Sequence, residues 1–300
     1  MPKIKHLFLS TRPQFFPGIM IPVALGASAA WHTHGKVHIP YFLISLIAAT
    51  LFHAGMNVIN DYFDFKNGTD NINQSALTPF TGGSRFIQSG LISPRETLVF
   101  GLSLLALGSL AGLYLSYAVN PLLLIIGSIG LFVGFFYSAP PIFLAGRGLG
   151  EAAVGLCFGV LTVLGAYLVQ TNELGPHAFF SSIPMSFLIA ALLYINEFPD
   201  YEADKTAGKR TLVVRLGVEK GRYGILVIIG GAYASIIVAA ISGFLPLRSL
   251  IAILSIVAVI PGVLGLLKNY KGGPSLIPSI KSIILAHLST GILLIISNII

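Results

Sequence analysis

Apolar runs of bilayer length follow one another along this chain, separated by short polar stretches. Nine windows match the roughly 20 residues that a membrane-crossing helix needs: about 14–31, 41–60, 96–118, 121–138, 149–169, 178–197, 222–243, 249–267 and 280–300. The pattern predicts an all-α polytopic membrane protein, with nine transmembrane helices in a single bundle and one domain over residues 1–300. Val119-Asn120-Pro121 leaves so little chain between the third and fourth windows that they must form a tight hairpin. Gly130-x-x-x-Gly134 and Gly155-x-x-x-Gly159 fall inside windows, at a spacing that lets helix backbones approach closely in lipid.

Composition agrees with the pattern. The chain is 55% hydrophobic and 10% charged, against about 25% charged in a soluble domain. Its net charge of +7 comes from basic residues dispersed between apolar runs, which argues against nucleic acid and for loops facing anionic lipid or an anionic substrate. Lys3 and Lys5 precede the first apolar run, and Ala27-Ser28-Ala29 loosely resembles a cleavage site. The run is as long as a bilayer span, so it reads as the first spanning helix. With the N-terminus inside and nine alternating crossings, 16 of the 18 Lys and Arg residues fall on the inner side, all but Lys36 and Arg248. The positive-inside rule then predicts a cytoplasmic N-terminus and an outside C-terminus. The long polar connections near 61–95 and 198–221 follow the second and sixth windows on that inner face. Their four-window spacing suggests an internal repeat of spans 1–4 and 5–8.

The chemistry concentrates where the second window ends. Asn57, Asp61 and Asp64 recur at i, i+4 and i+7, on one face if the helix continues, with Asn60 beside them. Acids stacked this way repel one another unless a cation sits between them. A second cluster closes the sixth window: Asn196 and Asp200 repeat Asn57 and Asp61 at an offset of 139 residues, and Asp204 adds another turn. Two such helix mouths suit Mg²⁺, which takes oxygen ligands and is often held by one or two carboxylates together with substrate phosphates. Cations stand beside the acids: Lys66, Arg85 after the Gly82-Gly83-Ser84 turn, Lys205, Lys209 and Arg210. Acids with bases, at one face of an apolar bundle, predict a polar cavity on the cytoplasmic side for a magnesium-bridged lipid diphosphate. Ionisation of an allylic diphosphate also leaves a carbocation, for which aromatic faces at Tyr62, Phe63, Tyr137, Tyr194, Phe198 or Tyr201 are candidates. Pro199 should kink or end its helix within the second cluster. His32, His34 and His38 could bind a transition metal but read more simply as a polar connector; His53, one turn before Asn57, borders the site or, more simply, is a hydrogen-bonded helix histidine, and His287 reads as packing. A cation-coupled secondary transporter is the rival from another class, although transporter sites lie near the bilayer midplane rather than at one face.

Asn57-x-x-Asn60-Asp61-Tyr62-Phe63-Asp64 and Asn196-x-x-x-Asp200-x-x-x-Asp204 resemble the two aspartate-rich motifs of the UbiA family of intramembrane aromatic prenyltransferases. The resemblance covers essentially the whole chain. Thr11-Arg12-Pro13, the stretch from Thr81-Gly82-Gly83-Ser84-Arg85 through Gly90-Leu91-Ile92-Ser93-Pro94, Arg147-Gly148-Leu149-Gly150-Glu151 and Gly165-Ala166-Tyr167-Leu168-Val169-Gln170-Thr171 are similar to its dihydroxynaphthoate (menaquinone-pathway) branch. That likeness implies Asn57, Asp61, Asp64, Asn196, Asp200 and Asp204 as catalytic residues, with Asp61, Asp64, Asp200 and Asp204 on Mg²⁺. It further implies Arg12, Asn60, Lys66, Arg85, Tyr137, Lys205 and Lys209 as substrate-binding residues, the basic ones by approximate match only. The implied partners are a polyprenyl diphosphate and dihydroxynaphthoate, in the plasma membrane of a prokaryote, with pyrophosphate and CO₂ released. Hydroxybenzoate, homogentisate or a lipid alcohol are the alternative acceptors. One departure stands out: Gly68 occupies a position that is acidic in many relatives, with Asp70 two residues beyond.

Overall fold

The computed structural model describes residues 3–300, and among these all regular structure is helical. Ten helices carry the architecture: α1 (Lys3–Ser10), α2 (Pro17–His34), α3 (Ile39–Lys66), α4 (Pro94–Ala118), α5 (Leu122–Ser138), α6 (Gly150–Thr171), α7 (Pro176–Thr206), α8 (Val218–Ile241), α9 (Leu247–Asn269) and α10 (Pro274–Ile299). Seven of them, α3, α4 and α6 to α10, are long and apolar enough to cross a membrane, and α1 with α2, bent by 55°, makes an eighth if the pair is one span. The apolar α5 is shorter, at 17 residues. Large side chains such as Leu110, Val227, Ile241 and Val257 point outward, as expected where lipid is the solvent. The chain is an integral membrane protein.

Local chemistry sets the helix ends. Pro17, Pro94 and Pro176 open their helices where no amide partner is needed, and Ser93 with Glu96 forms a reciprocal cap on α4. Asn120 turns the α4–α5 hairpin by accepting from the Leu122 amide at 2.9 Å, and ties it to α6 through Asn172 at 2.8 Å. Far from the acids, His177 meets Asn298 at 2.9 Å and Asn298 donates to Ser28 at 3.0 Å, clamping α7, α10 and α2 together.

Two helices run further than their apolar windows. α3 continues through the first aspartate cluster to Lys66, and α7 continues through the second to Thr206. Of the two alternatives for Pro199, ending the helix is excluded: it lies inside α7. The hydrophobic core clusters around α7, whose Met185, Leu188, Ile195 and Phe198 are buried among α2, α8, α9 and α10.

The glycine pairs divide. Gly155 and Gly159 lie in a π-helical stretch of α6, Gly155–Leu161, where the Thr162 hydroxyl donates to the Cys157 carbonyl at 2.7 Å. A Cβ on Gly159 would sit 1.9 Å from Ser186 Oγ and 2.6 Å from Ser186 Cα, so the α6–α7 contact requires glycine there. Gly134 packs closely on Met56 of α3, where a Cβ would stand 2.9 Å from Met56 Cε, and both Gly130 and Gly134 also line the cavity described below. Gly159→Val should cost about 1–3 kcal/mol by overpacking and lower the thermal midpoint in detergent. Gly230→Ala, which meets nothing within 4 Å, should leave that midpoint unchanged or slightly raised.

Candidate active site

Because α3 stays helical to Lys66, it displays Asn57, Asn60, Asp61 and Asp64 along its final turns. Asp61, only 3% exposed, forms an ion pair with Arg12, whose Nη2 also donates to Asn60 Oδ1 at 3.1 Å. Arg12 occupies the left-handed region (φ 56°) in the turn after α1, and Asn57 fixes that turn by donating to the Thr11 carbonyl at 3.0 Å. Asn60 donates to Asp64 Oδ2 at 2.9 Å and to the Ser138 hydroxyl at the end of α5 at 2.7 Å. Asp61 Oδ2 and Asn196 Oδ1 are buried without partners.

The second motif meets the first through a lysine. Lys209 Nζ lies 3.5 Å from Asp204 Oδ1 and 4.0 Å from Asp64 Oδ2, with its side chain 13% exposed. Burial by itself would lower the Lys209 pKa, but Asp204 and Asp64, with Tyr137 and Asp200 beyond, hold it well above the ordinary lysine value. Its charge therefore persists between the two helix ends. The 67–93 loop crosses the same gap. Asn73 donates to Asp200 Oδ1 at 2.8 Å, and the Ser84 amide donates to Asp61 Oδ1 at 3.3 Å. Gly83 (φ 73°) passes so close that a Cβ would stand 2.6 Å from Asp70 Oδ2, so the Gly82-Gly83-Ser84 turn is needed for approach to the acids.

Asp70, two residues beyond the glycine at 68, is buried in this cluster. Burial, with Asp64 and Asp61 beside it, pushes its carboxyl up to about 8 against the pull of Arg12 and Lys209. The other basic residues lie elsewhere. Arg85 donates through Nη1 to the carbonyls of Asp70 and Asn73, at 2.7 and 2.9 Å, and so shapes the loop without lining the cavity. Lys66 and Lys205 are exposed, each over a tyrosine of its own helix, Tyr62 and Tyr201. Arg210 is likewise exposed. Of the aromatic candidates only Tyr137 reaches the cavity wall; Tyr194 and Phe198 are buried in the core. The aromatic lining comes instead from residues that no polar motif marks, such as Phe15, Phe52, Phe80 and Phe158. Asn73 and Ser138 also escaped the sequence reading, since isolated amides and hydroxyls carry no spacing signal.

A cavity of about 440 Å³ connects this cluster to the interior of the bundle, within the range of small-molecule sites. Asp64, Asp70, Asp200, Asp204 and Lys209 line one part of it, while Leu123, Ile126, Gly127, Leu131, Gly165 and Val169 line an apolar part between α5 and α6. The polar part offers oxygen donors suited to a hard divalent cation. Among the described residues, no three His, Cys, Asp or Glu side chains converge closely enough to hold an ion alone. Spread acids, with Asp61 Oδ2 unpartnered, fit an ion whose coordination is completed by ligand phosphates. The histidines of the first polar connector do not converge either: His32 stacks on His177, His34 faces Glu173, and His38 stacks on Tyr41.

This arrangement of paired acidic helix ends over an apolar cavity is that of a membrane prenyltransferase. The UbiA prenyltransferase family model matches residues 19–274, and the chain belongs to that family. The transporter reading is thereby set aside. The chain is similar to the 1,4-dihydroxy-2-naphthoate octaprenyltransferases of Bacillus subtilis (strain 168), at 28% identity covering 88% of this chain and 82% of that one, and of Mycobacterium tuberculosis (strain ATCC 25618 / H37Rv), at 32% identity covering 73% of each. The fold matches the solved structure of a UbiA homolog from Archaeoglobus fulgidus bound to DMAPP and Mg²⁺, with a TM-score of 0.69, 19% identity and coverage of 95% and 97% of the two chains.

Lys209→Met should lower the stability of the metal-free protein by about 2 kcal/mol, because Asp64 and Asp204 then face each other without a cation. Lys209→Arg should restore most of it. An unchanged melting temperature in Lys209→Met would show that the ammonium does not couple the two helices.

Proposed function

We propose that this protein transfers a polyprenyl group from polyprenyl diphosphate to a ring carbon of dihydroxynaphthoate. The single observation that carries this reading is Lys209 held between Asp64 and Asp204, which makes the two acidic motifs one diphosphate-sized site. The names of the bacterial relatives favour the naphthoate acceptor.

In this reading Asp61, Asp64, Asp200 and Asp204 hold Mg²⁺, which when bound supplies positive charge for the leaving diphosphate. Arg12 and Lys209 take phosphate oxygens directly. Asn57 and Asn60 keep the acids and the Arg12 turn in register, and Asn196, its Oδ1 unpartnered, offers a further oxygen to the bound group. The carbon–oxygen bond of the donor breaks and pyrophosphate leaves with its electron pair. The electron-rich ring then forms the new carbon–carbon bond, and loss of the ring carboxylate as CO₂ returns electrons to the ring. No covalent enzyme intermediate is required. Tyr137, in the cavity wall, is the aromatic face best located to stabilise charge at the departing carbon. Arg85 shapes the loop through the Asp70 and Asn73 carbonyls, and Lys66 and Lys205, exposed over Tyr62 and Tyr201, are given no contact with the diphosphate in this reading.

We read α2 to α10 as nine spans, since 17 residues is the short end of the spanning range for α5. The acidic ends then lie on the cytoplasmic face, with the N-terminus inside and the C-terminus outside. The packing of α3 on α2 and α4, and of α7 on α6 and α8, supports one domain with a parallel repeat of its first eight spans.

Asp61→Asn and Asp200→Asn should each reduce turnover at least 100-fold with little loss of thermal stability, and a chelator should abolish activity that added Mg²⁺ restores. Purified enzyme with dihydroxynaphthoate, polyprenyl diphosphate and Mg²⁺ should release pyrophosphate and CO₂. Near-normal rates in both variants across magnesium concentrations would overturn the site.

A further inference from the structure

His53 lines the cavity one turn before Asn57, is 9% exposed, and has neither ring nitrogen partnered. This differs from the hydrogen-bonded histidine its sequence position suggested. An imidazole in a cavity wall presents a donor and an acceptor, and leaving either unmade in a buried site is costly. Its ring is held between the edges of Phe16 and Phe158, at centroid distances of 5.9 and 5.0 Å and interplanar angles of 87° and 84°. Phe158 belongs to the π-helical stretch of α6. The ring orientation is therefore built in by neighbours that make no hydrogen bond to it. His287 of α10, 2% exposed, lines the same cavity with Nε2 unpartnered.

We propose that His53 is the group that binds the polar substituents of the aromatic acceptor, by hydrogen bonding to a ring hydroxyl. The assignment rests on the prenyl-transfer reading above and deepens it. His53 precedes Asp61 by eight residues, about 12 Å along the α3 axis. A bicyclic hydroxyacid placed with its reacting carbon near the acids and its long axis along α3 would bring a ring hydroxyl towards His53. An apolar prenyl tail offers an imidazole nothing, and the apolar wall of the same cavity, formed by Leu123, Ile126, Gly127, Leu131, Gly165 and Val169, suits that tail instead. A phenolic hydroxyl both donates and accepts, so it satisfies either ring nitrogen.

The test uses the full-length enzyme in detergent with Mg²⁺ and polyprenyl diphosphate, comparing wild type, His53→Leu and His53→Gln. The acceptors are 1,4-dihydroxy-2-naphthoate and its two analogues lacking one hydroxyl each. Acceptor binding without donor is read from the fluorescence of the naphthoate. His53→Leu should weaken acceptor binding and raise the acceptor KM about tenfold, the effect of one lost hydrogen bond, with the donor KM and melting temperature unchanged. His53→Gln should recover part of the loss. Wild type should bind one hydroxyl-deleted analogue about tenfold more weakly than the parent, and His53→Leu should not distinguish the two. An unchanged acceptor KM, a rise in donor KM instead, or a loss that applies equally to every analogue would overturn the assignment while leaving the prenyl-transfer reading intact. A wild type that prenylates none of these acceptors would overturn that reading and this assignment together.

Discussion

Lys209 between Asp64 and Asp204 is the contact on which the site depends. Both acids sit in the last turn of a long helix, where the backbone dipole already concentrates negative potential. Carboxylates at two such ends, brought within reach of one ammonium, would drive α3 and α7 apart unless cations intervened. Arg12 plays the same part on Asp61 at the other side of the cluster. The protein thus gathers Asp61, Asp64, Asp70, Asp200 and Asp204 around two resident cations, an excess of oxygen donors that suits the magnesium–diphosphate ligand proposed above.

The 67–93 loop turns the paired ends into a cavity mouth. Asn73 reaches across to Asp200, Ser84 reaches back to Asp61, and Arg85 fastens the loop to itself through the Asp70 and Asn73 carbonyls. Gly83 allows the backbone to pass against the acids with no side chain between. The loop acts mainly through amides and backbone groups and adds the Asp70 carboxyl to the cavity wall, while the other cavity-lining acids of the motifs and Lys209 come from helix ends and from the turn after α7.

Below the mouth the cavity changes character in a short distance. Acids and Lys209 give way to Asn57 and His53, then to leucines, isoleucines and glycines between α5 and α6. Glycines at 127, 130 and 165 leave room there that side chains would fill. The π-helical stretch of α6 brings Phe158 against His53 while Gly159 lets the same helix press on Ser186 of α7. Packing and site geometry are thus set by one irregular turn.

Helix positions, the membrane environment and the two aspartate motifs were legible in the sequence, because each depends on local periodicity. An apolar run of bilayer length has few alternatives to a helix in lipid, and acids repeated at helical spacing declare a shared face. Even the pairing of the motifs could be inferred from their common offset. Tertiary structure decided which cations serve the acids. Lys66, Arg85, Lys205, Lys209 and Arg12 look equivalent along the chain, but only Arg12 and Lys209 meet the carboxylates, since a side chain on the wrong face of a helix points away whatever its charge. It also decided that Pro199 is carried inside a continuous helix, that Gly134 packs on Met56 of α3 beside the cavity, and that His53 lines that cavity with neither ring nitrogen partnered. Each of these depends on what a distant helix brings alongside, and no local pattern encodes that.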